Sequence, residues 1–204
     1  MSIAIIDYEA GNTGSLKYAL NESGFESYIA YEPKDLDKAS HIIFPGVGSF
    51  NKAMHVLRER KLDYSIKKSV LKRKIPILGI CLGMHVLATK GIEGGETQGL
   101  DLIPGVVCLL ESTQSKIRLH HIGWNETWFE NGASLFSSIP SGSDFYFLHS
   151  YHFATQDPAT IIAKTNYGCA FASVVMKDNI YGVQFHPEKS GRLGRQLLKN
   201  FASL

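Results

Sequence analysis

Pro76-Ile77-Leu78-Gly79-Ile80-Cys81-Leu82-Gly83-Met84-His85 is the stretch that decides how this chain folds. Ile75 to Ile80 is a short apolar run with a proline at its entrance, which reads as a buried strand. Met84 to Ala88 reads as the start of a helix. Between them, Gly79-Ile80-Cys81-Leu82-Gly83 has the G-x-C-x-G spacing of a nucleophile elbow, a strained strand-to-helix turn, with cysteine in the nucleophile's place. A side chain at either flank would clash as the backbone reverses, so both flanks are glycine. Such a turn presents a sulfur at the carboxyl end of a strand, beside the unpaired N–H groups of a helix N-terminus. Those groups favour a thiolate and an oxyanion next to it. A cysteine after an apolar strand is also a common small core residue. A partner elsewhere in the chain has to decide between the two readings.

Working outward from the elbow, strand-like and helix-like segments alternate. Ile3–Ile6, Ser27–Tyr31 and His41–Phe44 read as strands. Ser15–Asn21, a helix with Ser49 or Asn51 as its cap and running through Glu59, and Asp63–Lys74 read as helices, the last with Leu62, Ile66, Val70 and Leu71 on one face. This alternation predicts an α/β fold with a central, mostly parallel sheet flanked by helices. Ligands of such sheets sit beyond the carboxyl ends of the strands, where Gly11-Asn12, Gly46-Val47-Gly48 and Cys81 all fall. The second half changes character. Gly91–Gly99 reads as a flexible loop. Gly105–Leu110, Ile117–Ile122, Trp124–Phe129, Phe145–His149, Ile161–Thr165, Ala170–Met176 and Ile180–Phe185 read as short strands, added as antiparallel hairpins. A helix, Gly191–Phe201, closes the chain. No repeat, linker or low-complexity tract interrupts it, so residues 1–204 are expected to form one domain.

Composition narrows the function classes. The 204 residues are 44% hydrophobic and 20% charged, ordinary for a globular protein with a proper core. Basic and acidic residues, 21 against 19, give no electrostatic case for nucleic acid or an anionic membrane. No apolar stretch is long enough to span a bilayer, and the N-terminus lacks the features of a signal peptide. Cys81, Cys108 and Cys169 are scattered and odd in number, with no C-x-x-C pair, which suits a reducing cytoplasm.

Near the other end, Tyr181-Gly182-Val183-Gln184-Phe185-His186-Pro187-Glu188 is an apolar strand ending in His-Pro-Glu. Pro187 holds the backbone between His186 and Glu188 extended, and residues i and i+2 of an extended chain point to one side. Glu188 can therefore reach the His186 imidazole. A thiol nucleophile needs a base, and the base needs an acceptor to orient it; Cys81, His186 and Glu188 supply one of each. His186 is alternatively a hydrogen-bonded core histidine. A metal pair completed by His120, His121 or Cys81 is a further alternative, although the hydrolytic zinc and deaminase signatures are absent. No cofactor is implied.

Five segments together are more specific than any one: Pro45-Gly46-Val47-Gly48-Ser49-Phe50, Gly79-Ile80-Cys81-Leu82-Gly83-Met84, Gly123-Trp124-Asn125, His149-Ser150-Tyr151, and Tyr181 through Ser190. In this order, and over essentially the whole chain, the sequence resembles the class I (triad) glutamine amidotransferases, and within them the glutaminase subunits of imidazole glycerol phosphate synthase. The resemblance implies that Cys81 attacks the side-chain amide of glutamine, that His186 moves the thiol proton to the leaving amine, and that Glu188 holds the imidazole. It implies an oxyanion hole from the Leu82 N–H and an N–H of Val47 or Gly48, and a glutamine pocket lined by Gly46, Gly48, His85, Ser150 and Tyr151. It also implies a partner, a (β/α)8-barrel cyclase that receives the ammonia across an interface including Asn12, His120, Trp124 and Lys189. Such a heterodimer serves histidine biosynthesis.

Several positions depart from the family pattern. His85 stands where a glutamine is usual, His120 where a proline is usual, and Ala10 where another interface proline is usual, while the loop after Ala88 lacks the usual acidic run. These departures admit a second reading, the same chemistry supplying a different synthase such as a surface-polysaccharide amidotransferase. A third reading is a catalytically silent partner protein on this fold.

Overall fold

The computed structural model describes residues 2–9, 11, 13–110, 120–130 and 132–204. The first half builds β1 (Ser2–Ile6), α1 (Thr13–Glu22), β2 (Glu26–Ala30), β3 (His41–Phe44), α2 (Phe50–Glu59), α3 (Leu62–Lys67), β4 (Ile77–Ile80) and α4 (Leu82–Val86). The second half adds β5 (Lys90–Gly91), β6 (Thr97–Gln98), β7 (Gly105–Leu109), β8 (His121–Phe129), β9 (Ser143–His149), β10 (Tyr151–Thr155), β11 (Ile161–Asn166), β12 (Ala170–Lys177), β13 (Ile180–Val183) and α5 (Gly191–Ala202).

Among the described residues the central sheet runs β2-β1-β3-β4-β13-β12-β11-β8-β9. From β2 to β13 the pairings are parallel, and from β13 to β9 they are antiparallel. This is the α/β sheet with added antiparallel strands that the alternation predicts. It sets β13 directly beside β4, with Val183 opposite Ile80. The elbow and the His-Pro-Glu segment therefore leave the sheet side by side.

Apolar side chains alternate across the parallel strands and feed two cores. Ala4 and Ile6 join Phe44, Phe50, Leu57, Leu62 and Ile66 on the face covered by α2 and α3. Ile3 and Ile5 join Leu78, Ile80, Leu16, Leu197 and Phe201 on the face covered by α1 and α5. This two-sided burial follows from the period of two in an extended chain.

The structure differs from expectation in three places, two in the second half and one in the first. Residues 91–99 are not a free loop: β5 and β6 pair and join β7 and β10 in a separate sheet, β10-β7-β5-β6. The strands expected at Ile117–Ile122 and Trp124–Phe129 are a single strand from His121, because Gly123, at φ 135°, continues the ladder to β9 instead of breaking it. Residues 111–119 lie outside the described residues. The helix expected over Asp63–Lys74 gives way after Lys67 to a wider π turn over Lys68–Lys72.

Candidate active site

Cys81 sits in the turn between β4 and α4 with φ 52° and ψ −108°, a conformation that side chains rarely adopt. Strain of this kind is on the order of 1–3 kcal/mol and persists only where the surroundings enforce it. Here they do. A Cβ on Gly79 would come within 2.5 Å of the Gly83 carbonyl oxygen, and one on Gly83 within 1.7 Å of the Phe44 carbonyl oxygen. The glycine bracket thus lets α4 pack directly on the ends of β3 and β4. A helix of this length does not stand alone in water. It is held because every residue from Leu82 to Val86 is buried, and each large apolar side chain so buried contributes about 1.5–3 kcal/mol.

The chain leaving β13 carries the other half of the site. The Cys81 N–H donates to the Val183 carbonyl at 2.7 Å, which ties the elbow to that strand. His186 is fixed at its backbone: its N–H donates to the Tyr146 carbonyl at 2.8 Å, and its carbonyl accepts from the Ser190 hydroxyl at 2.7 Å. Pro187–Lys189 then form one 3-10 turn that folds Glu188 back toward the ring. The His186 Nδ1 lies 2.8 Å from Glu188 Oε1. A carboxylate only accepts, so Nδ1 carries a proton. Both side chains are buried.

Burial pulls the His186 imidazole down, but hydrogen bonding and charge from Cys81 and Glu188 outweigh it and raise the ring to about 10. Nε2 is buried, and Cys81 is the neighbour that raises the ring most. The arrangement sets a charged imidazole between the Cys81 sulfur and the Glu188 carboxylate, the order that a nucleophile, its base and an orienting acceptor require.

A cavity of about 310 Å³ opens over the sulfur. Of the residues predicted to form the glutamine pocket and oxyanion hole, Val47, Gly48, Leu82, His85, Ser150 and Tyr151 line it beside Cys81, and Gly46 does not; Glu93, Ile122, Leu148 and His149 line it without having been anticipated. The oxyanion donor is not open. The Leu82 N–H donates to the Gly46 carbonyl at 3.4 Å. The Gly46–Val47 peptide thus turns its oxygen, not its N–H, toward the Leu82 N–H that the resemblance assigns to the oxyanion hole.

Residues 4–203 match the family model described as Glutamine amidotransferase class-I. This chain is a class I glutamine amidotransferase. It is similar to proteins named "Imidazole glycerol phosphate synthase subunit HisH" from Moorella thermoacetica, at 43% identity over 99% of this chain and 94% of that one, and "Imidazole glycerol phosphate synthase subunit HisH 1" from Campylobacter jejuni, at 45% over 99% and 100%. The fold is also that of a solved structure of PurLQS from Thermotoga maritima, with a TM-score of 0.77 at 20% identity, covering 99% of this chain and 97% of that one.

Around its pocket this amidotransferase carries a buried polar set that the sequence reading passed over. His85 Nε2 lies 2.8 Å from Gln184 Oε1, and Gln184 Nε2 donates to the Cys81 sulfur at 3.8 Å. The Nε2 of His85 is therefore committed to Gln184. Burial takes the His85 ring down to about 4, so it is neutral.

A second chain runs behind Ser150. The Asn125 amide nitrogen lies 3.1 Å from His121 Nε2, His121 Nδ1 lies 2.9 Å from His149 Nε2, and His149 Nδ1 lies 2.8 Å from the Tyr151 carbonyl. Because that carbonyl can only accept, the proton positions of both neutral rings follow in order back to Asn125.

Three of the residues expected at a partner interface, His120, Trp124 and Lys189, lie among the described residues. Trp124 is 57% exposed on β8 and meets Tyr146 edge-on at 6.0 Å between ring centroids. Lys189 Nζ lies 5.8 Å from the centroid of the same Tyr146 ring. His120 is exposed, and its Nδ1 is 2.6 Å from the Ser150 hydroxyl, linking this side to the pocket wall. Asn12 and Ala10 lie outside the described residues.

Proposed function

We propose that this chain is the glutaminase subunit of imidazole glycerol phosphate synthase, releasing ammonia from glutamine for a partner that uses it. The carrying observation is the buried array in which the strained Cys81 turn faces His186 while Glu188 holds the far side of the ring. Cys81 attacks the glutamine side-chain carbonyl. His186 transfers a proton to the departing ammonia, and Glu188 stabilises the imidazolium meanwhile. Water then cleaves the thioester to glutamate. The negative oxygen formed at each step is to be held by the Leu82 N–H and an N–H of Val47 or Gly48, once the Gly46 carbonyl withdraws from Leu82. Gly46, Gly48, His85, Ser150 and Tyr151 form the glutamine pocket.

A free ammonia pool is mostly protonated and a poor nucleophile. The product therefore belongs in a sealed interface with an acceptor subunit, a (β/α)8 cyclase contacted by Asn12, His120, Trp124 and Lys189. The exposed Trp124 supports this, since large aromatic anchors are enriched at such surfaces. The names of the relatives support the histidine-pathway acceptor, and the setting is cytoplasmic. No helix among the described residues is long and apolar enough to cross a membrane.

His120 in contact with Ser150 favours keeping one second reading, in which the same subunit feeds another synthase. Transfer of amide nitrogen-15 from glutamine into the product of a candidate cyclase tests the choice. Label in the imidazole product supports the first reading. Full glutaminase stimulation by a different synthase, with no transfer through the cyclase, refutes it.

A further inference from the structure

Gln184 occupies the first position after β13, immediately before Phe185 and His186, and it is fully buried. Its backbone is pinned by its N–H donating to the Ser173 carbonyl at 2.8 Å. Its side chain spans two groups: Oε1 is 2.8 Å from His85 Nε2, and Nε2 is 3.8 Å from the Cys81 sulfur. The reverse amide orientation would aim an oxygen lone pair at the sulfur, which repels a thiolate. The orientation found requires His85 to donate from Nε2, and the neutral ring does so. His85 is itself set by the elbow, its N–H donating to the Cys81 carbonyl at 3.0 Å. The three residues close a loop: the turn places His85, His85 fixes the amide of Gln184, and that amide points an N–H back at the sulfur of the turn.

We propose that Gln184 is a further catalytic residue, donating an N–H to the Cys81 thiolate, and that His85 is the positioning residue that holds Gln184 in the donating orientation. The inference rests on Cys81 being the nucleophile. A charged acceptor draws more from such a donor than a neutral one, so the contact strengthens as the thiol proton leaves for His186. It weakens again when the sulfur becomes a neutral thioester. The donor therefore stabilises the attacking form without holding the acylated one.

The test reads the sulfur's proton directly. The rate of Cys81 alkylation by iodoacetamide is followed against pH, by peptide mass spectrometry that separates Cys81 from Cys108 and Cys169. Gln184→Met is expected to move the midpoint up by about one pH unit, roughly a tenfold loss of thiolate at a fixed lower pH. His85→Leu is expected to move it the same way. His85→Gln, which retains a side-chain N–H donor, is expected to stay near the parent. The double variant His85→Leu/Gln184→Met leaves neither polar partner orphaned in the core, and so guards against misfolding of the single changes. Gln184→Glu, which presents only oxygen to the sulfur, is expected to shift the midpoint furthest.

Unchanged midpoints in folded Gln184→Met and in the double variant would overturn the proposal. So would His85→Gln behaving like His85→Leu. Alkylation reports the thiolate whether or not glutamine is hydrolysed. A failed relay is thus distinguishable from a failed nucleophile, which would show as full glutamate release by a chain lacking Cys81.

Discussion

The Leu82 N–H and the Gly46 carbonyl oxygen are joined by a backbone hydrogen bond of 3.4 Å beside Cys81. The bond is long, and it occupies the N–H proposed above to hold the oxyanion. One such donor is typically worth about 2.7–4 kcal/mol of barrier, or roughly 10²–10³ in rate. Glutamate release by the isolated subunit is therefore expected to run at least about 10²-fold below release with a productive partner bound. Stopped assays with and without the partner check this. Equal rates would mean that the hole opens unaided.

Glu188 touches the reaction only through the His186 ring, by the 2.8 Å contact to Nδ1. Glu188→Gln keeps the shape but removes the charge that supports the imidazolium. Turnover with the partner present is expected to fall by roughly 10³-fold or more, and alkylation of Cys81 should need higher pH. A loss under tenfold would show that His186 needs no such support.

Gly83 has no room for a methyl group against the Phe44 carbonyl. Gly83→Ala is expected to destabilise the fold by more than about 3 kcal/mol, in the range left by overpacking and backbone displacement. Urea denaturation followed by circular dichroism measures it. A change below about 1 kcal/mol would mean that α4 moves off β3 freely.

Much of this site is legible in the sequence, and the physical reason differs from residue to residue. The elbow is legible because only glycine fits either flank of Cys81. The His186–Glu188 pairing is expected from an extended chain across Pro187, but the chain turns there: Pro187 opens a 3-10 turn, and that turn brings Glu188 to the ring. Gln184 went unread because one amide at the end of an apolar strand carries no pattern; only the fold brings it to His85. The occupied Leu82 donor is a peptide orientation, which residue type does not encode. Gly123 marks a break in composition but not in backbone, so one long strand read as two. The second sheet went unread because β5 and β6 are too short for any periodicity.

Stability should depend on pH with opposite signs on the two sides of neutrality. Burial holds His85 at about 4, and it holds His149 well below its ordinary 6.5 with neighbouring imidazoles adding to the effect. Bases depressed in the folded state contribute fully above the unfolded value of 6.5, and their contribution is lost as pH falls below it. Each is worth up to about 1.4 kcal/mol per pH unit in that window. His186, raised to about 10, contributes fully below 6.5 and loses its contribution as pH rises toward 10. The urea midpoint is expected to fall from pH 6.5 to about pH 5, above most carboxylate titration. A flat profile over that interval would mean that the buried imidazoles accept protons without penalty.

The most direct measurement is glutamate release from glutamine by Cys81→Ala beside the parent chain, both with the partner bound. Loss of essentially all release, with the partner still bound and the fold intact, is the expected result. Retention of parental release by Cys81→Ala would contradict the account, since no sulfur would remain at the turn to attack the amide.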